Sequence, residues 1–120
     1  MKTVSREIQE MTLQSLESTF NKLKNSYKSM SEKSSNTTLV RKRLEAVQIG
    51  LDSLKGLWNG EDFQYEVDRI ETSIKVLQSL LPPIEKQIAK AKDGSPQKTL
   101  NERRLTALQL AIQSLENRLS

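Results

Sequence analysis

The feature that most restricts the folds open to this chain is an apolar seam running from Phe63 to Ala91. Phe63, Val67, Ile70, Ile74, Leu77, Leu81, Ile84, Ile88 and Ala91 recur at alternating steps of four and three residues. That period draws one apolar stripe along an α-helix that packs against other helices. Pro82-Pro83 interrupts the seam. A proline inside a helix lacks a donor N–H and costs roughly 3 kcal/mol, and the residue before it is pushed out of the α region. The helix must therefore break or kink near Leu80 and restart around Pro83, where a first turn tolerates proline. The stripe keeps its count across the break, which favours a kink over a reversal of the chain.

Three further stretches carry the same pattern. Residues 3–33 place Leu13, Leu16, Phe20, Leu23, Tyr27 and Met30 on one stripe, and a Ser-, Asn- and Thr-rich link ends that helix. A second helix over 38–58, with Thr38 as its cap, carries Val40, Leu44, Val47, Leu51, Leu54 and Trp58. Asn59-Gly60 stops it, and Glu61 and Asp62 suit the first turn of the seam helix, 61–80, with a shorter piece over 83–92. Asp93-Gly94-Ser95-Pro96 then leads into a last helix, 97–119, with Leu105, Leu108, Ile112, Leu115 and Leu119. The sequence predicts one all-α domain over 1–120, a four-helix up-down bundle with left-handed, coiled-coil-like packing. At ~1.5 Å per residue the first helix reaches ~45 Å and overhangs its neighbours, which span ~30 Å. The piece after the prolines, or another molecule, is expected to cover the excess.

Composition removes several chemistries. The chain has no cysteine and no histidine. Disulfides, thiol nucleophiles, nucleophile–histidine triads and the usual zinc sites cannot be written, nor can the Glu-x-x-His pairs of di-iron bundles. Asp62/Glu66 and Asp68/Glu71 lie off the seam and read as solvated faces. The expectation is a non-enzymatic protein with no cofactor and no metal. No apolar run approaches the roughly 20 residues of a membrane span. With no signal-like apolar stretch at the start, the reading is cytoplasmic, and export without a cleaved signal stays open.

Net charge is +4, and its placement is uneven. In an alternating bundle one end gathers the C-termini of the first and third helices and the N-termini of the second and fourth. Basic side chains at helix C-termini are what the helix dipole favours. Arg41, Lys42, Arg43, Arg103 and Arg104 instead sit in or near first turns, where positive charge gains nothing from the dipole. They are the candidate basic docking end, for phosphate or an acidic surface. The opposite end collects acids, Asp52, Glu61, Asp62, Asp68 and Glu116 among them. By the heptad count Ile49, Tyr65 and Leu110 face outward and are candidate contacts for a partner or a second copy. A small interaction, adaptor or regulatory protein, self-associating or bound to a protein partner, is the first reading. A nucleic-acid- or phosphate-binding bundle is the second, although no aromatics are interleaved with the basic residues for base stacking.

Trp58-Asn59-Gly60, placed between two antiparallel helices, resembles the Trp-x-Gly turn of the small secreted helical-hairpin proteins of Gram-positive type-VII export systems. The resemblance implies a dimer that leaves the cell without a cleaved signal. This chain departs from the pattern in its long first helix, its added last helix, and Arg69 four positions after Tyr65 where an acid would stand.

Overall fold

The computed structural model describes residues 3–120; Met1 and Lys2 lie outside it. Five helical segments follow in order: α1 (Arg6–Glu32), α2 (Thr38–Asn59), α3 (Val67–Ser79), α4 (Leu81–Lys90) and α5 (Pro96–Leu119). No strand occurs among the described residues. With α3 and α4 counted as one helix bent at Leu80, this is the expected four-helix bundle.

Local chemistry sets most boundaries. Ser5 Oγ accepts from the Ile8 N–H and opens α1, and Ser95 Oγ accepts from the Lys98 N–H and opens α5 with Pro96 in its first turn. α1 closes where Ser34 takes φ 57°, while the Ser35 N–H donates to the Met30 carbonyl. That is the Schellman closure, with serine where glycine is usual. Thr38 is the first residue of α2 and not its cap: the cap position is Thr37, whose side chain makes no capping bond, and Asn36 Oδ1, one residue earlier, accepts from the Thr38 N–H at 3.0 Å. Gly60, at φ 71°, ends α2 in the left-handed region. At the double proline the chain pauses for one residue, Leu80, and α4 restarts at Leu81, so both prolines fall in a first turn that needs no donor from them.

The seam helix starts later than its stripe suggests. Residues 61–66 are not helical, and α3 begins at Val67 with Asp68 as its first-turn acid. The reason lies in Phe63 and Tyr65, which both pack against the core. On an extended chain residues two apart share a face, whereas on a helix they would diverge. Their ring centroids stand 5.1 Å apart. Tyr65 donates to Asp52 at 2.5 Å, and the Arg118 guanidinium lies 3.9 Å from the Phe63 ring. The segment therefore folds back along α2 before α3 begins. The tight helical hairpin at Trp58-Asn59-Gly60 does not form. Asp68 accordingly lies beside Lys42, in the lining of a small cavity with Glu45 and Arg69, and the acidic end is less pure than charge placement suggested.

α2 and α5 form the centre. Ser53 Oγ and Ser114 Oγ are 2.5 Å apart, with a sequence separation of 61 residues. A methyl placed on Gly50 would stand 3.1 Å from Ala111 Cβ, at that same separation. Equal separations along two helices mean that they run in the same direction, as the second and fourth helices of an alternating bundle should. Ala46, Gly50 and Ser53 on α2, and Ala107, Ala111 and Ser114 on α5, are all buried. Small side chains on both helices let the backbones come close. α1 packs on both central helices, α3 packs on both as well, and no Cα atom of α1 comes within 8 Å of one in α3. The core closes around Leu16, Val47, Leu54, Leu77, Leu108 and Leu115, each 2% exposed or less.

α4 is the outlier. It packs on α5, meets α3 at the bend, has no Cα atom within 8 Å of α1 or α2, and buries no residue fully. It therefore does not cover the overhang of α1: Tyr27 and Met30 stay half-buried and outside the core cluster.

Candidate functional site

Because α4 stands off from α1 and α2, a groove remains between them, floored by α5. Leu23 of α1, Leu80, Pro83 and Ile84 of the α3–α4 bend, and Leu108 of α5 supply its apolar surface. Lys22, Arg43 and Arg104 supply its charge, with Thr19 and Gln87 completing the lining. The open groove has a volume of about 320 Å³. No carboxylate lines it. Among the described residues the ion pairs are Arg6–Glu10, Lys55–Glu17, Arg69–Glu45 and Lys98–Asp93, so none of the three groove cations is neutralised by an acid. Arg43 Nε is shut away from water and has no hydrogen-bond acceptor.

The parallel run of α2 and α5 brings Arg43 and Arg104 to this one place from the middle and the end of the chain. The other three basic candidates diverge. Arg103 shares with Arg104 a smaller cavity between α1 and α5 that also takes in Gln14, Ser15 and Leu100. Lys42 turns to the α3 side, beside Glu45 and Asp68. Arg41 is exposed and lines none of these cavities. Lys22 joins the site from α1. Its position is invisible in a search for charge in first turns, because it sits in mid-helix and reaches the site only through packing.

The three apolar candidates require correction. Ile49 is 1% exposed and belongs to the core. The heptad count allows α2 one buried stripe, but a central helix contacted by α1, α3 and α5 buries more than one face. Tyr65 and Leu110 are half-buried and packed against the core cluster. Tyr65 is further engaged by Asp52 and by the Arg69 guanidinium, 5.2 Å from its ring. Burial, with the hydrogen bond to the Asp52 carboxylate adding to it, pushes its hydroxyl up to about 12. The large apolar side chains that are exposed lie elsewhere, on Ile8, Leu39, Leu57, Val67, Leu100 and Leu119.

The far end of the central pair is tied by Arg118. Its Nε donates to Ser53 Oγ at 2.7 Å and its Nη2 to the Ser53 carbonyl at 2.9 Å. Desolvation there lowers the Arg118 pKa from its ordinary value.

No family model, curated protein or solved structure matches this chain. Among the described residues no group of three or more Asp or Glu side chains could hold a metal ion, and no helix is long and apolar enough to cross a membrane.

Proposed function

We propose that this is a non-enzymatic interaction protein that docks an acidic, apolar-faced segment of a protein partner in the groove between α1, α2 and α4. One observation carries the reading: Arg43, Arg104 and Lys22 converge, without acidic partners, on a surface otherwise made of Leu, Ile and Pro side chains. An amphipathic segment lays apolar side chains into such a groove, and its carboxylates meet the cations at the edge. Nucleic acid is the weaker reading, since no aromatic side chain lines the groove to stack a base.

The test is a comparison of two charge-reversed proteins in capture from the native host. Arg43→Glu/Arg104→Glu reverses the groove, and Arg41→Glu/Lys42→Glu makes the same charge change outside it. A partner retained by the wild type and the second variant but lost by the first supports the proposal. Equal capture by both variants, or capture of nothing, rejects it. Retention on DNA that both variants lose alike would place the activity in general positive charge and not in the groove.

A further inference from the structure

Of the five helical segments, α4 alone buries no residue fully. Its apolar side chains Leu81, Ile84 and Ile88 all stay half-buried. Its attachment to α3 is weakened as well. Pro82 and Pro83 carry no N–H, so two bonds that would tie its first turn back to Gln78 and Ser79 cannot form. Against its last turns lies Asn101 of α5. Asn101 flanks the space where α4 meets the start of α5, together with Gln87, Lys90 and Ala91 and with no residue of α1, α2 or α3. It is 1% exposed, yet neither its Nδ2 nor its Oδ1 has a hydrogen-bond partner.

A carboxamide shut away from water and unbonded at both ends opposes the contact that buries it. On the side where α4 meets α5, that contact is α4 itself. Lifting α4 lets water reach the carboxamide and gives up little apolar burial, so the cost of release is low. We propose that α4 is a releasable strap, docked on α5 in one form of the folded protein and lifted from it in a second, with Asn101 biasing the balance toward release. Pro83, Ile84 and Gln87 leave the groove when the strap lifts, while Leu23, Arg43 and Arg104 remain on the other helices. Asn101 thereby sets the fraction of molecules in which the groove has all its walls. The inference concerns the fold and holds whether or not the groove takes a partner.

Trypsin reads the lifted form. A ten-residue helix does not hold its shape alone in water, so release presents Lys86 and Lys90 to the protease as open chain. Cleavage then follows the population of the lifted form. Full-length wild type, Asn101→Leu and Asn101→Ala are each digested briefly, and first cuts are counted from the masses of the paired fragments. The cut after Lys33, where α1 ends, is the internal standard. In the wild type, cuts after Lys86 and Lys90 should outrun the cut after Lys55, inside α2. Leucine keeps the branched shape without the polar atoms, and alanine cannot overpack. Against the standard, cuts after Lys86 and Lys90 should slow at least about fivefold in one variant or both, the low end for an unmade buried bond. Slowing in neither overturns the proposal, even with a raised urea midpoint, because α4 would then not be what buries the carboxamide. Wild-type cuts after Lys86 and Lys90 no faster than after Lys55 overturn it too, since α4 would open only with the whole fold.

Discussion

Replacing Gly50 by alanine tests the parallel contact between α2 and α5 directly. In an ordinary exposed helix interior Gly→Ala stabilises by about 1 kcal/mol, because alanine is the better helix former. Here the new methyl would meet Ala111 Cβ at 3.1 Å and Leu77 Cδ1 at 3.3 Å. Both neighbours are fully buried, so neither can swing aside into solvent. Overpacking of this kind costs about 1–3 kcal/mol, which outweighs the propensity gain and leaves the variant less stable by about 1 kcal/mol. Ala111→Gly alone should cost about 1.5 kcal/mol through lost propensity and a vacated methyl. The double variant moves the methyl from one helix to the other and should lie close to wild type, so the coupling between the sites is about 2.5 kcal/mol. Urea unfolding followed by circular dichroism measures all four proteins. If Gly50→Ala stabilises by its full helical gain and the two changes simply add, α2 and α5 do not meet at these residues.

Arg118→Ala removes two donors to Ser53 and the cation above Phe63, and should lower stability by about 1–2 kcal/mol, read in the same urea experiment. Ser34→Gly relieves a left-handed serine at the end of α1 and should raise stability by about 0.5–1 kcal/mol, seen as a higher melting temperature. The raised pKa of Tyr65 favours the protonated hydroxyl in the folded state. Its contribution is therefore whole below pH 10 and is lost as pH climbs toward 12. Wild type should lose more stability than Tyr65→Phe across that window, and parallel curves would remove the Tyr65–Asp52 bond from the account.

The helices themselves were plain in the chain because four stripes with a step of four and three, punctuated by Asn59-Gly60, Pro82-Pro83 and Gly94-Ser95-Pro96, leave little else to build. The break at Leu80 followed from covalent chemistry alone. Periodicity did not disclose which helices sit in the middle. A heptad count gives each helix one buried side, so it sent Ile49 outward, although the small residues Ala46, Gly50 and Ser53, echoed by Ala107, Ala111 and Ser114, mark a second buried side at the same spacing. The two-residue alternation of Phe63 and Tyr65 was likewise present, but it was masked because Phe63 and Val67 also fit the helical count. Of the basic candidates, Arg43 and Arg104 were legible as displaced charge. Lys22 was not, since what distinguishes it is the company it keeps in three dimensions.

The placement of α4 bears on how the molecule breathes. An element fastened along one flank, and joined to α3 by a single non-helical residue, has the fewest burial contacts to lose when it detaches. Its backbone amides should therefore exchange with deuterium sooner than those of α2, through partial openings far below the cost of global unfolding. Any occupant that bridges α4 to α1 or α2 would slow that exchange, so the kinetics of one ten-residue segment could report on occupancy before the ligand itself is known.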